Sequence, residues 1–279
     1  MLHFPDPDEV PATNAEVLAY EKRVRTLGLA APAPTQQLSY GADRSQKLDV
    51  YAPELTVAAP ILLFFHGGAW ISGHLGWLRF MAPVVNAMGV ILVAGSYRLA
   101  PRLRWPAQYE DVREALRFVC QTAESFNGDR KRIVIGGHSA GGHLASLVAL
   151  KHEGPAPVAC MPVSSSFDLQ YGDVPLESDV GRVYRYLFEH HDQDHDASPL
   201  NFVEGNSVPF HITWGEKDFD RVRTSSEEMT AELKAHGSPV THQIIPNASH
   251  FDTHLALHDP RNPWYSRLRE AFKPVGFTA

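Results

Sequence analysis

The chain reads as an α/β fold, a mostly parallel central sheet with helices on both faces. Three observations predict this. Short, fully apolar runs alternate with helical stretches along most of the length. One of these runs passes through a glycine-bounded turn directly into a helix. The 279 residues, 44% hydrophobic and 20% charged, suit one large domain better than two small ones. One domain is expected over residues 1–279, with residues 1–36 forming an N-terminal helix and linker, and no internal repeat is visible.

Asn14 to Leu27 has a helical pattern, with Asn14 as an N-cap candidate and Gly28 as the expected stop. Ala30-Ala31-Pro32-Ala33-Pro34 is a stiff linker, and the first short strands fall around Gln37 to Tyr51. Pro60 to Phe65 is a fully buried strand. Gly89 to Tyr97 is another, and Ala107 to Ala123 is an amphipathic helix leading to the strand Arg132 to Gly136. Strands near Val158 to Ser164, Phe210 to Trp214 and Val240 to Ile245 complete the sheet, each a run of apolar or β-branched residues.

The strand at Arg132 to Gly136 runs into Gly137-His138-Ser139-Ala140-Gly141, and a helix-forming stretch, His143 to Leu150, follows at once. Strand, sharp turn with one serine, then helix is the pattern that exposes a nucleophilic hydroxyl above a sheet. The glycines are required because the turn brings residues two before and two after the serine together, where a Cβ would clash. The helix behind Ser139 presents free N–H groups and its positive end to developing negative charge.

Acyl transfer also needs amide donors for an oxyanion. The strand Pro60 to Phe65 ends in His66-Gly67-Gly68-Ala69-Trp70, whose backbone is uncovered at two glycines. Gly68 and Ala69 are the expected donors, with Gly67 a third and Ala140 supplying the remaining one. An ordinary Gly-Gly turn with Trp70 as a packing residue is the alternative. Trp70 and His138 are assigned to the substrate pocket.

These segments, with Tyr97-Arg98-Leu99-Ala100-Pro101, Trp105-Pro106-Ala107-Gln108 and Asp111, resemble the α/β-hydrolase esterases, over roughly residues 38 to 255. Within them the chain is most similar to the arylformamidase (kynurenine formamidase) and carboxylesterase branch. The hormone-sensitive-lipase branch shares the Tyr-Arg-Leu-Ala-Pro segment. It usually carries a third glycine and an aromatic where this chain has Ala69-Trp70, and Asp where it has His138. The resemblance implies the α/β-hydrolase fold, with triad members in the order Ser, Asp, His.

After the strand ending at Trp214 comes Gly215-Glu216-Lys217-Asp218-Phe219-Asp220. Asp218 has the spacing from Gly215 that the family uses for its acid; Glu216 and Asp220 are the alternatives, and a solvated acidic loop would account for all three. Fifteen histidines give a lone one little weight. His250 is singled out as the base because it lies in the loop expected after the last strand, with His254 and His258 in the helical stretch beyond.

Residues 165–208 form a long insertion carrying Phe167, Tyr171, Tyr184, Tyr186 and Phe188. It is either a lid that shapes substrate choice or a packed helix pair without ligand contact. His190, His191 and His195, mixed with three aspartates, have metal-ligand chemistry, but adjacency alone does not converge ligands, so a solvated helix end is expected and no metal or organic cofactor is called for.

Net charge −7 argues against nucleic acid or an anionic membrane as partner. No apolar run approaches the roughly 18 residues of a membrane span. Cys120 and Cys160 fit buried free thiols, which, with no signal peptide recognisable at the N-terminus, points to the cytoplasm. A homodimer is compatible with the sequence. The expected activity is hydrolysis of a small ester by a Ser139–Asp218–His250 triad through an acyl-enzyme, with formamide hydrolysis as the alternative. A binding protein without turnover is a remote third.

Overall fold

The computed structural model describes residues 15–273, apart from 55, 171, 173, 174 and 176. In chain order its strands are β1 (Gln36–Ser39), β2 (Lys47–Tyr51), β3 (Ala59–Phe65), β4 (Ile91–Gly95), β5 (Gly128–His138), β6 (Ala159–Val163), β7 (Phe210–Lys217) and β8 (Val240–Ser249). The helices are α1 (Ala15–Leu29), α2 (Ala82–Ala87), α3 (Ala107–Thr122), α4 (Ala140–Lys151), α5 (Asp179–Leu187), α6 (Gln193–Asp196), α7 (Asp220–Ala235), α8 (His250–Leu255) and α9 (Pro263–Ala271). The eight strands form one sheet in the order β1-β2-β4-β3-β5-β6-β7-β8. β2 pairs antiparallel with β1 and β4, and all other pairings are parallel.

The apolar runs become the central strands because each must cover two faces. Alternate residues of a strand point to opposite sides. Ile61, Leu63 and Phe65 of β3 join a core containing Val112 and Leu116 of α3, Leu144 of α4, and Met229 and Leu233 of α7. Leu62 and Phe64 join the opposite core with Tyr20 and Val24 of α1, Val85 of α2, and Trp264 and Leu268 of α9. Each large side chain removed from water this way contributes about 1.5–3 kcal/mol.

Several boundaries differ from the sequence expectation, among them the start of β5, which is at Gly128 rather than Arg132. α1 runs through Gly28 to Leu29, so Gly28 is no stop; it is buried where the helix passes Arg79 and Gly76, and a Cβ there would make only ordinary contacts at 3.8–3.9 Å. Asn14 lies outside the described residues. β8 extends to Ser249, because Pro246-Asn247-Ala248, expected as a loop, forms an irregularity in the β7–β8 pairing with Asn247 at φ 59°. His250 is therefore the first residue of α8 rather than a loop residue. Ser249 caps that helix in a reciprocal capping box with Asp252.

In the insertion, Phe167, Tyr184, Tyr186 and Phe188 are buried in the core, and Tyr171 lies outside the described residues. His190, His191 and His195 are exposed, while Asp194 is buried and accepts a 2.5 Å hydrogen bond from the Tyr184 hydroxyl. Among the described residues no group of three or more His, Cys, Asp or Glu is arranged to hold a metal ion. None of the described helices is long and apolar enough to cross a membrane. Cys160 is buried, Cys120 is half-buried, and both are free thiols.

Candidate active site

The carboxyl ends of β5, β6, β7 and β8 converge on Ser139. At the turn between β5 and α4, Ser139 has φ 52° and ψ −120°, a conformation L residues rarely adopt and one that costs on the order of 1–3 kcal/mol. It is held by the Ser139 amide donating to the Val163 carbonyl at 2.8 Å. The flanking glycines permit the turn: a Cβ on Gly137 would lie 2.3 Å from the Gly141 carbonyl carbon, and one on Gly141 would lie 2.3 Å from the Phe65 oxygen.

His250, heading α8, reaches across from β8. Its Nε2 lies 2.9 Å from Ser139 Oγ, and its Nδ1 lies 2.8 Å from Asp218 Oδ1. With Nδ1–H donating to the carboxylate, Nε2 is left to accept the hydrogen bond of the Ser139 hydroxyl. Both side chains are almost fully buried. Of the alternative acids, Asp220 is 92% exposed and bonds Arg223, while Glu216 accepts from the Asn247 amide on the surface.

Two hydroxyls that the sequence reading did not identify complete this line. Ser164, at the end of β6 with φ 50°, donates to Asp218 Oδ2 at 2.5 Å and lies 2.7 Å from Thr253 Oγ1. Thr253 Oγ1 in turn is 2.8 Å from the His250 carbonyl oxygen. Burial works to raise the Asp218 pKa, but the hydrogen bonds from His250, Ser164 and the Phe219 amide, together with the attraction of His250, outweigh it and hold the carboxyl below its ordinary value. The run Ser164-Ser165-Ser166 at the end of a central strand was the available signal.

The loop after β3 passes beside Ser139 with three successive positive φ values, Gly68 at 121°, Ala69 at 51° and Trp70 at 61°. Its shape is enforced from below. Buried His66, neutral because burial lowers its pKa to about 4, donates from Nδ1 to the Gly67 carbonyl at 2.7 Å and stacks on Tyr97. The Tyr97 hydroxyl donates to the His66 carbonyl at 3.0 Å, and the Ala100 amide donates to that of Trp70 at 3.0 Å. Arg98 anchors the same segment through its ion pair with buried Asp111 at 2.7 Å. The Tyr-Arg-Leu-Ala-Pro motif thus acts on this site as a brace.

The cleft above Ser139 is walled by Ala69, Trp70, Val180, Val183 and Val222, with Ser166 and Arg221 as polar groups and Ala140 beside the serine. Trp70 lines the cleft and also packs in the core, where its Nε1–H donates to His143 Nδ1 at 3.1 Å. The insertion meets the cleft through Ser166 and two valines of α5, and none of its described aromatics lines it. His138 is a correction. It does not line the cleft; it is buried behind His250, stacked on His254 with centroids 4.9 Å apart, and its Nε2–H donates to the His250 carbonyl at 3.0 Å. Its side chain points to the α8 side of the elbow because the side chain of Ser139 occupies the cleft side.

Comparison with known proteins agrees with this architecture. A family model described as the alpha/beta hydrolase fold matches residues 62–253. Esterase LipC of Mycobacterium tuberculosis is 30% identical over 242 residues, 77% of this chain and 59% of that protein. Kynurenine formamidase of Salmo salar is 26% identical over 262 residues, 90% of this chain and 85% of that one. The chain spans less than two-thirds of the mycobacterial esterases LipC and LipQ. Among solved structures, the thermostable carboxylesterase EstE1, cloned from a metagenomic library, superposes with a TM-score of 0.78 at 21% identity, covering 95% of this chain and all of that one. A bacterial heroin esterase superposes at 0.76 and 23% identity, covering 92% of this chain and 91% of that one. By the match over 62–253 and the relation to the mycobacterial esterase, this chain belongs to the α/β-hydrolase fold family.

Proposed function

We propose that this protein hydrolyses small carboxylic esters by two-step acyl transfer, with Ser139 as nucleophile, His250 as general base and Asp218 as the acid that orients it. The observation that carries this reading is the hydrogen-bonded line from Ser139 Oγ through the His250 ring to Asp218. His250 Nε2 takes the serine proton as the oxygen attacks the carbonyl, and Asp218 stabilises the imidazolium that results. The oxyanion is held by the amides of Ala140 and Gly68, joined by Ala69 and Gly67, since the uncovered backbone of the loop after β3 lies beside Ser139. His250 then returns the proton to the leaving atom. Water, deprotonated by the same ring, releases the acid and restores Ser139. Residues 165–208 bear on substrate size through Val180 and Val183, and no step calls for a metal or organic cofactor.

A second reading, formamide hydrolysis by the same residues, is favoured by the match to a kynurenine formamidase along 85% of that protein's length, where the mycobacterial esterases are matched over less than two-thirds of theirs. Parallel kcat/KM values on 4-nitrophenyl acetate and N-formylkynurenine separate the two. A preference for the ester by about tenfold or more is expected, and the opposite preference selects the formamidase. No turnover of either removes both.

A further inference from the structure

Arg221 lines the Ser139 cleft, yet none of the chemistry above employs it. It is exposed near the start of α7, and among the described residues it has no carboxylate within ion-pair distance. The acidic residues beside it are engaged elsewhere, Asp220 with Arg223 and Asp218 with His250. Its contact is with the Phe219 ring, whose centroid lies 5.5 Å from the guanidinium carbon. Phe219 in turn stacks on His250, with centroids 4.5 Å and planes 29° apart, and still leaves 40% of its surface exposed. His250, the part-exposed Phe219 ring and the Arg221 guanidinium thus follow one another, with His250 and Arg221 lining the cleft and Phe219 packed between them.

This order has a direction in the reaction. The base that takes the serine proton returns it to the leaving atom, so the departing group lies against His250. What lies next to His250 therefore meets the leaving group rather than the acyl chain. Phe219 offers the part of its ring left exposed beside His250, and Arg221 offers a planar fork matched to a carboxylate. On a chain of net charge −7, a cation at this point is a local field of opposite sign, reinforced by the positive end of α7. The valines of α5 bring no competing charge to the cleft.

We infer that Phe219 and Arg221 form a leaving-group subsite that selects esters or formamides of aromatic alcohols or amines bearing a carboxylate, an inference that rests on the serine-hydrolase reading. The probes are 4-acetoxybenzoate and methyl 4-acetoxybenzoate, which share the acetyl group and differ in the charge of the leaving group. The ratio of their kcat/KM values cancels intrinsic reactivity when compared between proteins. R221Q is expected to lower the anionic-to-neutral ratio about tenfold, the size of one charge-assisted hydrogen bond, and R221K to lower it less. A ratio within twofold of wild type in R221Q overturns the subsite. Calorimetric titration of S139A with 4-acetoxybenzoate makes the two failures distinguishable. Binding that disappears in the S139A/R221Q double variant supports the subsite even if neither ester is turned over, in which case the hydrolase reading alone falls. Hydrolysis of the neutral ester without Arg221-dependent binding of the anion overturns the subsite alone.

Discussion

At the residue scale, three carboxylates within five residues differ in consequence because only one is taken out of water. Asp218 is buried between His250, Ser164 and the Phe219 amide, whereas Asp220 stands in solvent with Arg223. Asp218→Asn removes the anion that fixes the imidazole tautomer, and kcat is expected to fall by about 10³–10⁴-fold. Asp220→Asn, on an exposed pair worth about 0–1 kcal/mol, should leave kcat within about threefold. Steady-state kinetics of the two variants decide the assignment, and a reversed order moves the acid by two residues. The spacing after Gly215 singled out Asp218, which lies against His250, and the strand–turn–helix pattern singled out Ser139, which lies in the β5–α4 turn. Ser164 was not legible as the partner of Asp218, since the serine run at 164–166 does not mark which of its hydroxyls will meet a carboxylate 54 residues on. His138 was misplaced for a related reason: sequence gives its position next to the nucleophile but not the side of the turn on which its ring lies.

At the scale of elements, the β5–turn–α4 unit is built on backbone contact, and its tolerance should follow the space at each glycine. Gly137→Ala places a methyl 2.3 Å from backbone, so the turn must deform, whereas Gly154→Ala meets nothing nearer than Arg117 Nε at 3.6 Å. Denaturant titration is expected to show a loss of about 3 kcal/mol or more for the first, or failure to fold, and a change within about 0.5 kcal/mol for the second. Equal stability of the two would mean the turn is looser than described. Elements buried on both faces were legible as continuous apolar runs, so β3, β4 and β5 emerged near their expected places. Ends set by tertiary packing were not. α1 continues through Gly28 with that residue buried beside Arg79 and Gly76, and the β7–β8 irregularity absorbs the residues that turn patterns assigned to a loop. Phe167, Tyr184, Tyr186 and Phe188 were legible as apolar but not as core, since the cluster they join is built with residues of α3, α4 and α7.

At the scale of the whole molecule, five histidines are kept neutral by burial: His254 with its pKa lowered to about 3, His66, His143 and His211 to about 4, and His138 well below its ordinary value. Unfolded, each would take a proton near pH 6.5; folded, it does not. Their contribution is therefore fully present above pH 6.5 and is lost as pH falls from 6.5 toward 4, at about 1.4 kcal/mol per histidine for each pH unit. Thermal unfolding is expected to show a Tm nearly flat between pH 7 and 8 and falling steeply below pH 6. A Tm unchanged down to pH 4.5 would mean these rings are charged or exposed in the fold. The same packing that neutralises His138 and His254 supports the backbone of His250, so the fold's acid sensitivity and the site's geometry share one cause. The central claim, that Ser139 carries the acyl group, is tested most directly by quenching the protein with acid during turnover of 4-nitrophenyl acetate and locating the acetyl group by peptide mass spectrometry. One acetyl group per chain on the peptide containing Ser139, absent in Ser139→Ala together with a loss of at least about 10³-fold in turnover, is the predicted result. Undiminished hydrolysis by Ser139→Ala, or an acetyl group confined to another residue, would contradict it.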